Sequence, residues 1–324
     1  MHISLNAEST PFNLYHTLDC GQVFRWENMK NGWYGVVRET VIKVMQIRDE
    51  LVFQTFPDDK GISFIRRYFR LDDDLPQITS KIDKDAIIHR AIDKLYGLRI
   101  IRQEPWECIV SYICATFSNI SRIKGMIRNL SRKFGKEIIY NGLTFYAFPQ
   151  IEVLAKATLR ELSDCGLGFR SKYVQYAARA IKDYIPDFES LKRLTYQKSK
   201  RLLLSLPGIG PKVADCILLF SINKLGAFPV DIWIKRILCK YYSKRFPDYE
   251  FVKKKGITLK RYEQLSAFGR SYFGEYAGYA QEYLFYYYRL NRSSGHWPSF
   301  SSLNLSEKEF FISPSSESAY LPHK

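Results

Sequence analysis

The sequence predicts an α+β, predominantly helical protein: a small N-terminal antiparallel β-sheet domain, followed by a long helical core in two parts. Three observations predict it. Three short β-branched and aromatic runs stand between residues 32 and 56 of the first ninety or so; from residue 85 to 290 apolar side chains recur at helical spacing; and Pro207, Pro229 and the Gly166/Gly168 pair divide that helical stretch. The expected boundaries are 1–97 for the sheet domain with its helices, 98–290 for the helical core with a Gly/Pro hairpin at 205–212, and 291–324 for a serine-rich, loosely ordered tail.

The runs GWYGVV (32–37), VIKVMQI (41–47) and LVFQTF (51–56) read as strands, and the polar breaks Arg38-Glu39-Thr40 and Arg48-Asp49-Glu50 between them make a meander. Helical pattern begins at 61–69, and the acidic run Asp72-Asp73-Asp74 is expected to open onto a loop. Trp106, Ile109, Val110, Ile113, Cys114 and Phe117 fall at i, i+3, i+4, i+7, i+8 and i+11, one face of a helix over 106–117. Further helices are expected at 122–135, 151–156, 158–164, 171–184, 190–204, 211–222, 231–242, 258–268 and 272–290. The tail holds one apolar patch, Phe310-Phe311-Ile312, that could dock.

Charge is divided unevenly. Residues 1–97 carry 13 basic and 14 acidic side chains, whereas 98–324 carry 36 and 19, so the net charge of +16 belongs to the helical part. A basic surface of that size steers a polyanion and points to nucleic acid as partner. The six cysteines (20, 108, 114, 165, 216, 239) form no CxxC pair or dense cluster, which argues against a zinc ribbon or an iron–sulfur cluster and suits a reducing, intracellular setting. Met1-His2-Ile3-Ser4 runs into mixed polar sequence, so neither a secretory leader nor a membrane span is expected; Lys253-Lys254-Lys255 reads as a solvated basic face.

The segment SLPGIGPKVADCILLFSINKLGAFPVD (205–231) is the richest in chemistry. Gly208 and Gly210 bracket a tight turn at angles other residues resist, letting successive N–H groups point at an anion. Pro211 suits a first helical position, and the helix N-terminus adds its positive dipole end to the same phosphate seat. Lys212 stands in that first turn, where the dipole favours the neutral amine able to attack carbon and form a Schiff base. Asp231, nineteen residues on, is a carboxylate able to deprotonate the amine and steady positive charge on a sugar. Cys216 is one helical turn after Lys212, and Gln281 and Phe285 are likewise i, i+4 on the last helix; a soft wall, a flat wall and an amide suit a purine, although such residues serve as ordinary core equally well.

LPGIGPKVADC followed by PVD resembles the helix-hairpin-helix signature of base-excision DNA glycosylases, and its lysine is similar to that of the bifunctional glycosylase/lyases. Four further segments, CGQVFRW (20–26), ECIVSYICATFSNISRI (107–123), GLGFRSKYV (166–174) and YAGYAQEYLF (276–285), resemble the 8-oxoguanine DNA glycosylases in the same order. The resemblance implies excision of 8-oxoguanine opposite cytosine from duplex DNA, with Lys212 as nucleophile, Asp231 assisting and β-elimination following. It implies that Cys216 and Phe285 sandwich the lesion, that Gln281 reads its pairing edge, and that the Gly21 carbonyl accepts from the N7 hydrogen that guanine lacks. It further implies that Asn119, Arg122, Phe169 and Arg170 handle the bent duplex and its orphaned cytosine, with Gly208 and Gly210 at a phosphate. Two positions depart from the pattern: Phe117 replaces an asparagine that fills the gap left by the flipped base, and Trp233 replaces a histidine at a phosphate. Phe117 thus reads as core or as an apolar wedge.

No cofactor is expected to be required and no metal ligand set is proposed; a monovalent cation bridging hairpin carbonyls to a phosphate is the one ion the loop suggests. The partner implied is duplex DNA containing an oxidised purine, met by a monomer located with the DNA, away from membrane. Two other readings stay open on the residues alone: a monofunctional glycosylase for alkylated bases, which has no need of Lys212, and a non-catalytic hairpin module that binds DNA.

Overall fold

The computed structural model describes residues 1–57, 60–184, 188–246 and 256–293. Five strands, β1 (His2–Ser4), β2 (Trp26–Met29), β3 (Gly32–Val37), β4 (Thr40–Ile47) and β5 (Glu50–Phe56), form one antiparallel sheet in the order β1-β5-β4-β3-β2. The expected meander is its centre; β1 and β2 are added at the edges, too short and too polar to show as runs of their own. Trp26, Trp33, Ile42, Val44, Leu51 and Phe53 project from one face onto Ile65, Tyr68 and Phe69 around helix α2 (Gly61–Tyr68), and Trp26 Nε1 donates to the Tyr68 hydroxyl at 2.9 Å.

The other face is covered by an element the helical expectation for 85–290 misses. Residues 137–146 form a hairpin, β6 (Glu137–Tyr140) and β7 (Leu143–Tyr146), turning through Asn141 and Gly142 at φ 51° and 72°. Positive φ at both positions is what an Asn-Gly two-residue turn supplies. Ile138 and Ala147 pack on Val36 and Val41, and Phe145 stacks on Tyr34 with ring centroids 5.9 Å apart. The middle of the sheet, β3 and the start of β4, is therefore buried on both sides.

The remaining described elements are helices: α1 (Leu14–Asp19), α3 (Leu75–Ile82), α4 (Ala86–Lys94), α5 (Pro105–Cys114), α6 (Ile120–Phe134), α7 (Ile151–Lys156), α8 (Leu159–Asp164), α9 (Arg170–Tyr184), α10 (Phe188–Arg193), α11 (Tyr196–Leu204), α12 (Pro211–Phe220), α13 (Ile232–Ile237), α14 (Leu259–Phe273) and α15 (Ala277–Ser293). Local chemistry sets their ends. The acidic run 72–74 lies in the turn before α3, as expected, and Asp74 caps that helix by accepting from Gln77 N–H at 2.9 Å. Thr195 caps α11 and so splits the expected 190–204 helix in two, and α13 passes into a π-helical turn at Leu238–Tyr242. Gly274, at φ 75°, ends α14 and lets the chain fold back into α15. The expected 106–117 helix ends at Cys114. Residues 294–324, including the 310–312 segment, and the Lys253–Lys255 run lie outside the described residues. No described helix is long and apolar enough to cross a membrane.

One hydrophobic core runs through the helical part and takes in Leu75, Ile78, Ile88 and Leu95 from α3 and α4, which pack on α15 together with α13 and α14. Helix α12 is sandwiched among α5, α11 and α14, and a carboxylate fixes it there. Asp215, fully buried, accepts from Tyr196 (2.7 Å), Lys200 (3.1 Å), Tyr262 (2.5 Å) and Ser266 (3.3 Å). Burial pushes its carboxyl up; Lys200 and the two tyrosines pull it back. Replacing one partner of such a group strands the others. Asp215→Ala is expected to cost about 3 kcal/mol in urea unfolding, with Lys200 left to Glu263 at 3.0 Å; a loss below about 1 kcal/mol would show that the four donors do not depend on it.

Candidate active site

Helix α11 ends at Ser205, and the chain turns through Leu206-Pro207-Gly208-Ile209-Gly210 before α12 begins at Pro211. Ile209 N–H donates to the Leu206 carbonyl at 3.2 Å, closing the turn. Gly208 has φ 83°, and a Cβ there would lie 2.5 Å from the Tyr173 Cβ on α9, so both conformation and space demand glycine. Gly210 differs from the sequence reading: it caps α12 at φ −87° with open space around it, an angle any residue adopts. What it supplies is bare backbone at the helix N-terminus, accessible to an anion.

Lys212 is half-buried, and its ammonium lies 5.2 Å from the ring centroid of Tyr112 on α5. Asp231 caps α13, accepting from Ile234 N–H at 2.8 Å. Burial pushes the Asp231 carboxyl up, while the Ile234 N–H and then the charge on Lys212 oppose that shift. Cys216, one turn after Lys212, is buried, and burial pushes its thiol up to about 12 against the pull of Lys212. It is a neutral, soft surface under these conditions.

Helix α15 completes the site. Gln281 is 6% exposed and its Oε1 has no hydrogen-bond partner, while Phe285 is half-buried four residues on. A buried amide oxygen without a donor costs about 1–3 kcal/mol, which a ligand N–H would recover. Next to it stands a residue that sequence reasoning missed. Glu282 is 3% exposed, its Oε1 is also unpartnered, and it lies beside the Cys20 thiol within electrostatic reach of Arg289, Asp231 and Lys212. Burial pushes its carboxyl up to about 7. A lone glutamate in an apolar helical stripe gives no sign of that environment; only the neighbours brought by α1, α12 and α13 do. Gly21, at φ 100°, follows Cys20 at the edge of this cluster.

The predicted DNA-contact residues gather at another edge. Phe117 lies outside α5 in the left-handed region, φ 51°, and is 51% exposed, so the core alternative for it fails. Its ring lies 6.2 Å from that of Phe169, which is 49% exposed and 6.4 Å from Tyr173. A bulky residue held at positive φ in the open needs a constraint. Arg170 provides it: its guanidinium donates to the Phe117 carbonyl at 3.1 Å, to the Thr116 carbonyl from both Nε (2.9 Å) and Nη2, and to the Leu167 carbonyl at 3.3 Å, and it lies 4.4 Å from the Phe169 ring centroid. Arg170, expected at the opposite cytosine, is 4% exposed here, with its guanidinium on backbone carbonyls. Asn119 is likewise occupied, capping α6 by accepting from Arg122 N–H at 2.9 Å, whereas the Arg122 side chain is exposed. Trp233 lies under Arg236, 4.9 Å from ring centroid to guanidinium. Among the described residues no group of three or more His, Cys, Asp or Glu side chains is arranged to hold a metal ion.

Residues 4–109 match the family described as 8-oxoguanine DNA glycosylase, N-terminal domain, and residues 110–259 match the HhH-GPD superfamily of base excision DNA repair proteins. The chain is 31% identical over 258 residues to the N-glycosylase/DNA lyase of Saccharomyces cerevisiae, covering 71% of this chain and 68% of that one. It is 32% identical over 223 residues to a probable N-glycosylase/DNA lyase of Methanothermobacter thermautotrophicus, covering 62% and 67%. Among solved structures it resembles the Clostridium acetobutylicum 8-oxoguanine glycosylase/lyase in complex with double-stranded DNA containing cytosine opposite 8-oxoguanine, at 34% identity and TM-score 0.79 over 90% of this chain and 98% of that one.

The Glu282 environment predicts a pH dependence of stability. A carboxyl raised on folding favours the native state at low pH, and that contribution is lost as pH rises from the ordinary carboxylate range through about 7. Glu282→Gln, neutral throughout, is therefore expected to match the wild type near pH 4.5 and to exceed it by up to about 3 kcal/mol near pH 8 in urea unfolding. Parallel pH profiles for the two proteins would contradict the assignment.

Proposed function

The chain belongs to the 8-oxoguanine DNA glycosylase family within the helix-hairpin-helix base-excision repair superfamily, and from that premise we propose how its residues divide the work. It is a bifunctional enzyme of base excision repair, a DNA glycosylase with abasic-site lyase activity acting on 8-oxoguanine in duplex DNA. The duplex is bent at the basic helical face, a phosphate rests on the hairpin N–H groups and the α12 N-terminus, and the damaged nucleotide leaves the stack. Phe117 and Phe169 wedge into the gap as paired apolar side chains, with Arg170 bracing them from behind. Arg122, from the exposed start of α6, addresses the orphaned cytosine.

In the pocket, Cys216 and Phe285 contact the faces of the purine, Gln281 bonds its pairing edge, and the Gly21 carbonyl accepts from the N7 hydrogen, which guanine lacks. The Lys212 amine attacks C1′ as the C1′–N9 bond breaks and the base departs with the bonding pair. Asp231 steadies the positive charge that builds on the sugar. Loss of the amine proton and opening of the ring oxygen leave an imine between Nζ and C1′. Removal of a C2′ proton then expels the 3′ phosphate, and water releases the lysine. The reaction requires no cofactor. A monovalent cation at the hairpin would bridge its carbonyls to a phosphate, and no step passes through it. The enzyme works as a monomer wherever the cell keeps its DNA.

The observation that supports this reading is a half-buried lysine, Lys212, in the first turn of α12, whose charge opposes the upward shift of the buried Asp231 carboxyl. Monofunctional base removal has no use for that lysine. Lys212→Gln is expected to abolish nicking of an 8-oxoguanine:cytosine duplex and to slow base release by more than about 1,000-fold, with duplex affinity retained. Base release at the wild-type rate would return the enzyme to the monofunctional class. With Arg170 held on backbone carbonyls, a single exposed arginine meets the opposite base. Excision opposite cytosine is then expected to exceed excision opposite adenine by only about 10-fold, one bidentate contact's worth; a ratio above about 1,000 would mean that Arg170 is released to the DNA.

A further inference from the structure

The turn after α1 is held against α15 by one guanidinium. Arg289, two helical turns beyond Gln281, donates through Nη1 to the Cys20 carbonyl at 3.0 Å, and through Nη2 to the Asp19 carboxylate at 3.1 Å and to the Asp19 backbone carbonyl. The Tyr286 hydroxyl donates to the same Asp19 oxygen at 3.0 Å. The guanidinium lies 4.8 Å from the Tyr286 ring centroid and 6.0 Å from that of Phe285. Gly21 comes next in the chain, and a Cβ there would lie 2.8 Å from Arg289 Nη1 and 2.9 Å from Ile120 Cδ1. Glycine and guanidinium are thus fitted to each other.

The consequence is geometric. Because the peptide unit is planar, fixing the Cys20 carbonyl fixes the plane that leads into Gly21. Contact with Arg289 and Ile120 then restricts the space around Gly21 itself. The planar fork, with several donors in fixed directions, spans two carbonyls and a carboxylate at once, which the point charge of a lysine does not do.

We infer that Arg289 is a positioning residue for lesion recognition, holding the Asp19–Cys20–Gly21 turn in register with the α15 face that carries Gln281 and Phe285. The inference rests on the roles proposed above for Gly21 and Gln281. Its signature is a split between two activities of the same enzyme. Reading a base requires the Gly21 carbonyl and the Gln281 amide to be aimed together, whereas an abasic site presents no base and needs only Lys212 and Asp231, carried by α12 and α13.

Arg289→Met keeps an apolar stem over the rings and removes the fork. Its rates are to be measured on two duplexes, one with 8-oxoguanine opposite cytosine and one with a preformed abasic site opposite cytosine. The expected result is a fall of ~10- to 100-fold in 8-oxoguanine excision, with abasic nicking within about twofold of wild type. Arg289→Lys should fall between. Asp19→Asn, a milder change that weakens the same fork, should show a smaller split in the same direction. An equal fall in both activities for Arg289→Met and Asp19→Asn, or no fall in either, would reduce Arg289 to a packing contact and overturn the inference. A wild-type enzyme that nicks the abasic duplex but leaves 8-oxoguanine in place would instead remove the substrate reading on which the inference stands.

Discussion

The position of α12 depends on the buried Asp215 carboxylate. Two tyrosines, a lysine and a serine from α11 and α14 converge on it, and the same helix carries Lys212 three residues before and Cys216 one residue after. Desolvation alone would push this acid toward neutrality. Donors from both flanking helices oppose that, so the helix that carries Lys212 is locked to its neighbours through its own side chain. Helix α14 then leads through Gly274 into α15, which carries Gln281, Glu282, Phe285 and Arg289. Lys212 and the α15 face with Gln281 and Phe285 are therefore tied to one polar hub, through α12 directly and through α14 by way of the turn at Gly274.

The site combines two kinds of unsatisfied chemistry. The Gln281 amide oxygen and one oxygen of Glu282 are buried without partners, in a fold that satisfies Asp215 four times over. Groups left in that state are costly and concentrate where a ligand completes them. At the other edge, Phe117 is held exposed at positive φ by a buried arginine. Backbone strain kept in place by its surroundings is a common mark of a working surface. The two edges thus use opposite devices: one exposes a large hydrophobic side chain, the other hides polar atoms.

Much of this was legible in the sequence because it is local. The hairpin, the proline at N1, Lys212 and Cys216 on one face, and Gln281 with Phe285 on another all follow from spacing within a single helix, and the three-strand meander follows from alternation. What escaped depended on distant partners or on a competing pattern. The 137–146 hairpin carries an Asn-Gly turn that was readable, yet it sits within a long helical context, and its packing on the back of the sheet is a tertiary fact. Phe117 continues the apolar period of α5, but the helix stops at Cys114 and Arg170, fifty-three residues on, redirects the turn. Glu282 and Arg289 look like ordinary polar residues of a helix until α1 brings Asp19 and Cys20 against them.

The most direct measurement is reductive trapping followed by peptide mapping. The enzyme is incubated with borohydride and a duplex bearing one 8-oxoguanine opposite cytosine, beside the same duplex with guanine, and the digested adduct is sequenced by mass spectrometry. The account predicts a covalent sugar adduct on the lesion duplex only, carried by the peptide that contains Lys212. An adduct on any other lysine, or none on the lesion duplex, would contradict the central claim that this amine is the nucleophile.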